Sequence, residues 1–296
     1  MKKKIVIAGG TGFIGKYLSN YFTQQKYEVI IISRQPDTVS WQDEQGIVAA
    51  LEDAEMLINL AGKSVDCRYN EKNKKEILVS RIETTKALGE ALKLCQNPPE
   101  LWLNSSTATI YRHAEDRPMT EREGEIGTGF SVGIATQWEK ALFDFHLPKT
   151  RLVALRIAIV LGKDGGVMVP LKRLVQFGLG GHQGNGKQMF SWIHQEDLKN
   201  IMLFIQKNKL MSGVYNCSAP HPVPNNIFMA ALRKAMGMPF GFPSPKWLLE
   251  AGALLIRTET ELILKSRWVI PEKLIESGYT FQYDTIDKAF NEIINY

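Results

Sequence analysis

The sequence predicts an α/β protein, a doubly wound parallel sheet with a smaller, mostly helical C-terminal lobe. Three observations carry this expectation. The first half alternates short apolar strands with amphipathic helices, an order that builds a parallel sheet covered on both faces. The first strand runs directly into Gly9-Gly10-Thr11-Gly12-Phe13-Ile14-Gly15, a glycine turn that opens a helix. After Leu161 the composition changes, with eight glycines between Gly162 and Gly186 and then Pro220, Pro222, Pro224, Pro239, Pro243 and Pro245.

Taken in order, Ile5-Val6-Ile7-Ala8 is the first strand. In the helix behind the glycine turn, Ile14, Tyr17, Leu18, Tyr21 and Phe22 share one face. Strands follow at 28–33 and 55–60, the second ending in Asn59-Leu60-Ala61-Gly62. A helix over 72–95 carries Ile77, Leu78, Ile82, Thr85, Leu88 and Leu92 at helical spacing, and Pro98-Pro99 stops it. Leu101-Trp102-Leu103 begins another strand, 131–145 reads as a helix and 152–160 as a strand. In such a sheet the ligand crevice lies at the carboxyl ends of the strands. The glycine-rich stretch is either a mobile loop closing over a substrate or an irregular connection. Phe190-Ser191-Trp192-Ile193-His194 resumes the order, before a helix that Asp197 is placed to N-cap. Helical periodicity then runs to the C-terminus. The expected division is 1–165 plus 190–218 for the sheet domain, and 166–189 plus 219–296 for the smaller lobe.

Composition narrows the class. At 296 residues and 44% hydrophobic content the chain can bury a large core. The net charge of +5 is spread along the chain. Its densest basic stretch, Arg68 through Lys72, Lys74 and Lys75 to Arg81, is broken by Glu71 and Glu76 and reads as a solvated helix face, so no nucleic-acid partner is expected. Met1-Lys2-Lys3-Lys4 resembles a signal n-region, but the apolar run behind it stops at Gly9, and no stretch approaches membrane-spanning length. Cys67, Cys95 and Cys217 form no Cys-x-x-Cys pair and read as free thiols of a cytoplasmic protein. The five histidines include no His-x-x-x-His, and no metal site is expected.

The glycine turn carries the ligand expectation. Glycines at a strand's carboxyl end let backbone amides approach a pyrophosphate, and the helix N-terminus behind them favours negative charge. Gly9, Thr11, Gly12, Phe13, Ile14 and Gly15 are therefore candidate contacts of a dinucleotide in a Rossmann-type fold. An ordinary glycine-rich turn is the competing reading, and the strand before and amphipathic helix after argue against it. An acidic residue ending the second strand would hold a ribose 2′-hydroxyl and repel a 2′-phosphate. This chain has Ser33-Arg34 there, so the expected cofactor is NADP(H), with Arg34 pairing with the phosphate and Ser33 donating to it. A surface arginine is the plainer alternative.

Further segments make a family recognisable. Asn59-Leu60-Ala61-Gly62 resembles the N-x-A-G segment of the short-chain dehydrogenase/reductase superfamily. Ser105-Ser106-Thr107-Ala108-Thr109-Ile110-Tyr111 resembles the S-S-x-A-x-V-Y segment of its extended, sugar-epimerase-like branch. Trp138-Glu139, Leu155-Arg156, Leu161-Gly162, Ser191-Trp192-Ile193-His194 with Asp197, and Ser218-Ala219-Pro220 are similar to an atypical group, the NAD-dependent epimerase/dehydratase-like or epimerase family proteins. That group ends in a C-terminal domain of unassigned function, which Val269-Ile270-Pro271 and Gly278-Tyr279-Thr280-Phe281 resemble. The resemblance implies further cofactor contacts at Leu60, Ala61, Gly62, Glu76, Arg81 and Val160; an exposed ion pair is the alternative for Arg81.

Active members of the superfamily use a Tyr-x-x-x-Lys pair to move a proton at a hydroxyl or carbonyl, with a Ser or Thr orienting the substrate oxygen. The resemblance puts Thr107 at the Ser/Thr position, Ser131 at the tyrosine position and Ala135 at the lysine position. None of the nine tyrosines has a lysine four residues on, so the pair is absent. Tyr111 and His113 are substitute proton donors to consider, Tyr111 also reading as a packed side chain, and His194 as the holder of a core hydrogen bond. Gly129-Phe130-Ser131-Val132-Gly133 matches the G-x-S-x-G elbow of hydrolases, but charged, glycine-containing sequence stands where the required strand should be. Two functions remain: an NADP(H)-dependent oxidoreductase or epimerase-like enzyme on a small carbonyl, hydroxyl or nucleotide-sugar-like substrate, and a non-catalytic NADP(H)-binding redox sensor. The chain is expected to act as a monomer or homodimer.

Overall fold

The computed structural model describes residues 3–245 and 264–295. Seven parallel strands form the main sheet: β1 (Lys4–Ala8), β2 (Glu28–Ser33), β3 (Val39–Ser40), β4 (Met56–Asn59), β5 (Leu101–Thr107), β6 (Arg151–Ile157) and β10 (Gly213–Cys217). Their spatial order is β10-β6-β5-β4-β1-β2-β3, and every ladder is parallel. The strand order reverses at β1, where a ligand crevice belongs in a doubly wound sheet.

Alternation along each strand feeds two cores. Ile5, Ile7, Met56, Ile58, Leu101 and Leu103 pack with Leu18 and Phe22 of α1 (Phe13–Gln24) and with Leu198, Ile201 and Ile205 of α6 (Gln195–Lys207). Their neighbours Val6, Ala8, Leu57 and Trp102 point the other way, against Ile47 and Leu51 of α2 (Glu44–Leu51), Leu88 and Leu92 of α3 (Glu71–Leu94), and Leu142 of α4 (Phe130–Phe143). This is the two-residue period of the strand expressed as two hydrophobic layers. A third core joins α5 (Met168–Gln176) to α7 (Asn225–Ala235) and α9 (Ile286–Asn295) through Leu171, Val175, Phe228, Phe290 and Ile293. The short helix α8 (Glu272–Glu276) and the ladder of β8 (Met189–Phe190) with β11 (Val223–Pro224) complete this part. Residues 246–263, within the stretch expected to be helical, lie outside the described residues.

Two expectations need correction. The strand expected over 152–160 is two strands, because β6 ends at Ile157 and β7 (Ile159–Leu161) pairs with β9 (Trp192–His194) in a separate ladder. The chain changes partner there: Ala158 N donates to Cys217 O, whereas Ile159 N donates to Ser191 O. Nor does Asp197 cap α6. His194 is the N-cap, its ring accepting from Glu196 N, while Asp197 is buried one turn later. The Asp197 carboxylate accepts from the backbone of Gln282 at 2.9 Å, that of Tyr283 at 2.8 Å and the Tyr279 hydroxyl at 3.1 Å.

Candidate functional site

The glycine turn leaves β1 where three strands converge. Gly9 has φ +78, a conformation that favours glycine, and a Cβ on it would lie 2.8 Å from Ala61 N. A Cβ on Gly15 would lie 2.6 Å from Gly10 Cα, which seats α1 against the turn. Gly12 differs. Its φ is −78, open to any residue, and its added Cβ would meet nothing nearer than Gly9 O at 3.7 Å. The chain's own packing does not require glycine there, whereas a close-approaching ligand would. Gly12 is also the N-cap of α1, which has no side-chain cap and no acid in its first turn. The first amides of the helix thus keep their capacity to bind an anion.

Around the turn, Phe13 packs beneath the start of the glycine-rich stretch, where a Cβ on Gly162 would lie 2.8 Å and one on Gly166 3.1 Å from its ring. Farther along, Gly184 N donates to Ser244 O at 2.9 Å. At the end of β2, Ser33 is buried, and its hydroxyl bonds Thr38 Oγ1 and accepts from Gln35 N, each at 2.9 Å. That turn leaves Arg34 exposed. Leu60 and Ala61 flank Gly9, and Val160 is half-buried in β7.

Arg81 is not an exposed ion pair. Its guanidinium donates to the carbonyls of Lys63 and Ile77, at 3.0 and 2.9 Å, and lies 5.0 Å from the Trp138 ring. Burial lowers its pKa to about 10, and a Cβ on Gly62 would sit 3.0 Å from Arg81 Cζ. Glu76 pairs with Lys63, which with Lys72 and Arg34 holds the carboxyl below its usual range.

On the other flank, Thr107 ends β5 and its hydroxyl oxygen accepts from Thr109 N at 3.1 Å. Ser131 lies in the first turn of α4; Ala135, one turn on, is fully buried. No strand precedes Gly129, so the G-x-S-x-G segment is a helix start. Tyr111 is buried, accepting from Arg156 Nη1 at 2.8 Å and donating to Asn216 Oδ1 at 2.9 Å. His113 is exposed, and its Nδ1 accepts from Ser266 N at 3.1 Å. His194 is buried and bonds Glu292 Oε2 at 2.9 Å, as a core histidine.

Sequence reasoning missed two groups. Arg156 grips both Glu139 oxygens at 2.8 Å, and Ser106 Oγ donates to the same carboxylate at 2.6 Å, a buried pair joined to β5. The quoted Trp138-Glu139 and Leu155-Arg156 contained the signal, but not the pairing. Lys265 Nζ donates to Thr109 O at 2.8 Å and Arg267 Nε to Thr109 Oγ1 at 3.1 Å. More than 150 residues separate these partners, so no local pattern announces them. A depression of about 550 Å³ among Lys3, Glu55, Asn97 and Arg151 sits at the amino ends of the strands and contains none of the crevice groups. Among the described residues no three His, Cys, Asp or Glu side chains are grouped to hold a metal, and no helix is long and apolar enough to cross a membrane.

Comparison with known proteins finds relatives along nearly the whole chain. Residues 5–130 match the NAD dependent epimerase/dehydratase family, and residues 244–293 match a domain of unknown function. An epimerase family protein of Staphylococcus epidermidis is 30% identical over 300 residues, spanning 99% of each chain. The bovine epimerase family protein SDR39U1 is 31% identical over 98% of this chain and 99% of its own. The crystal structure of human SDR39U1 with NADPH superposes at a TM-score of 0.89 with 30% identity, covering 99% of both chains.

Proposed function

Because this chain belongs to the NAD-dependent epimerase/dehydratase family, we propose that it is an atypical short-chain dehydrogenase/reductase that binds NADP(H) and acts as an oxidoreductase or epimerase-like enzyme. The observation that carries the reading is Gly12, a glycine that the protein's own packing does not need, at an uncapped helix N-terminus. The residues present suit a dinucleotide: Gly9, Thr11, Gly12, Phe13, Ile14 and Gly15 would line the pyrophosphate, and Ser33 and Arg34 the 2′-phosphate. Leu60, Ala61, Gly62, Arg81 and Val160 would border the remainder, with Arg81 as a half-buried cation, and Glu76 would stand beside the 2′-phosphate. When bound, the nicotinamide supplies hydride transfer. On this reading 1–165 with 190–218 carries the cofactor, and 166–189 with 219–296 bounds a small carbonyl, hydroxyl or nucleotide-sugar-like substrate.

Thr107 is the residue assigned to the substrate oxygen. Its oxygen already accepts a bond from Thr109 N, which leaves its hydroxyl proton to donate. Ser131 occupies the tyrosine position without an ammonium one turn on, because Ala135 is there and buried. That alanine favours a second reading, a non-catalytic NADP(H) sensor. Purified protein with NADPH and a broad carbonyl panel separates the two: turnover supports the enzyme, whereas binding with no oxidation of NADPH supports the sensor. Arg34→Asp is expected to weaken NADPH at least about tenfold while sparing NADH, and equal losses would remove the phosphate role. Thr107→Ala should leave NADPH affinity intact and abolish any turnover found; unchanged turnover would exclude Thr107 from the chemistry.

A further inference from the structure

Lys63 stands at the carboxyl end of β4, directly after Gly62, and its backbone is fixed on α3. Its amide donates to Ser80 Oγ at 2.9 Å and its carbonyl accepts from Arg81 at 3.0 Å. Its ammonium donates to Asn73 Oδ1 at 2.7 Å and pairs with Glu76. Arg34 leaves the end of β2. Strands β4 and β2 are the two neighbours of β1, so Lys63 and Arg34 flank the glycine turn from opposite sides. Glu76 lies close enough to both, and to Lys72, that all three cations lower its proton affinity, Lys63 most.

We propose that Lys63 is the second cation of the 2′-phosphate site, facing Arg34 across the glycine turn, and that Glu76 is its counter-ion, displaced when the phosphate binds. This rests on the NADP(H) reading above. The Lys63–Glu76 pair is open to solvent, with side-chain exposures of 27% and 45%. A pair this exposed holds its partners weakly. A phosphate brings a higher charge and three acceptor oxygens, and so competes well with one carboxylate for the ammonium. A dinucleotide lacking the 2′-phosphate has nothing to exchange for Glu76 and leaves the pair closed. Lys63 and Glu76 therefore act in opposite directions on NADPH, and neither acts on NADH.

Dissociation constants for NADPH and NADH, with 2′,5′-ADP as a competitor, test this on the full chain. Lys63→Ala is expected to weaken NADPH and 2′,5′-ADP about tenfold or more and to leave NADH within about twofold. Lys63→Gln should reproduce that pattern, because it keeps a long polar side chain and loses the charge. Glu76→Gln should tighten NADPH several-fold at low salt, an effect that fades as salt screens the cluster. Equal losses of both dinucleotides in Lys63→Ala, or weaker NADPH binding in Glu76→Gln, would overturn the assignment while leaving the NADP(H) reading in place. A wild-type chain that binds neither dinucleotide would overturn both.

Discussion

Gly12 separates what the fold needs from what a ligand needs. Gly9 and Gly15 are glycine because backbone of the same chain lies within 3 Å of where a Cβ would be. Gly12 has ordinary extended torsions and open space before it. Gly12→Val is therefore expected to cost no more than about 1 kcal/mol, the scale of a helix-cap change, while removing NADPH binding. Urea denaturation beside a binding titration reads both quantities, and a folded variant that still binds would exclude the close approach. Ser33 sits at the same scale: its place at the end of β2 is plain in the sequence, but its engagement with Thr38 and Gln35 depends on how the following turn folds back.

At the scale of elements, α6 and α9 are held together by His194. The ring sits at the end of β9, bonds Glu292 of α9 and packs 3.9 Å from the Tyr283 ring. Burial lowers its pKa, although Glu292 acts in the opposite direction. An unfolded histidine titrates near ~6.5. As pH falls from there toward the lower folded value, the unfolded chain takes up a proton that the folded chain refuses, so stability falls; above ~6.5 this contribution is level. His194→Asn should flatten the change in urea midpoint between about pH 7 and about pH 5. A slope as steep as wild type would show that other groups set the acid sensitivity. The Arg156–Glu139 pair belongs to this scale too, since it joins β6 to α4 and takes the Ser106 hydroxyl with it.

Across the whole molecule, β1 lies between β2 and β4 in the seven-stranded sheet, so the ends of both flank the glycine turn. A ligand that binds only the folded chain stabilises all of it, by about 2.7 kcal/mol at one hundred times its dissociation constant. NADPH is thus expected to raise the melting temperature more than NADH at equal concentration, and equal shifts would contradict a 2′-phosphate preference. The segment carrying Ser266 and Arg267 ties together two stretches far from it in sequence. Ser266 Oγ donates to Ala114 O at 2.6 Å, and Ser191 Oγ donates to Arg267 O at 2.7 Å.

The order of strands and helices, the glycine turn and the absence of a Tyr-x-x-x-Lys pair were legible in the sequence, because each is a local pattern within a few residues or one helical repeat. The split of β6 from β7, the capping of α6 by His194, and the meeting of Thr109 with Lys265 and Arg267 were not. Each depends on which distant segment offers a hydrogen-bond partner at that point. Ala158 N still bonds Cys217 while Ile159 N bonds Ser191, and Asp197 holds Gln282 and Tyr283 instead of capping the helix. The sequence by itself determined a parallel sheet with a dinucleotide-type turn at its ligand edge. Only the tertiary structure decided which side chains surround that edge, because buried polar groups must find partners wherever the fold brings them.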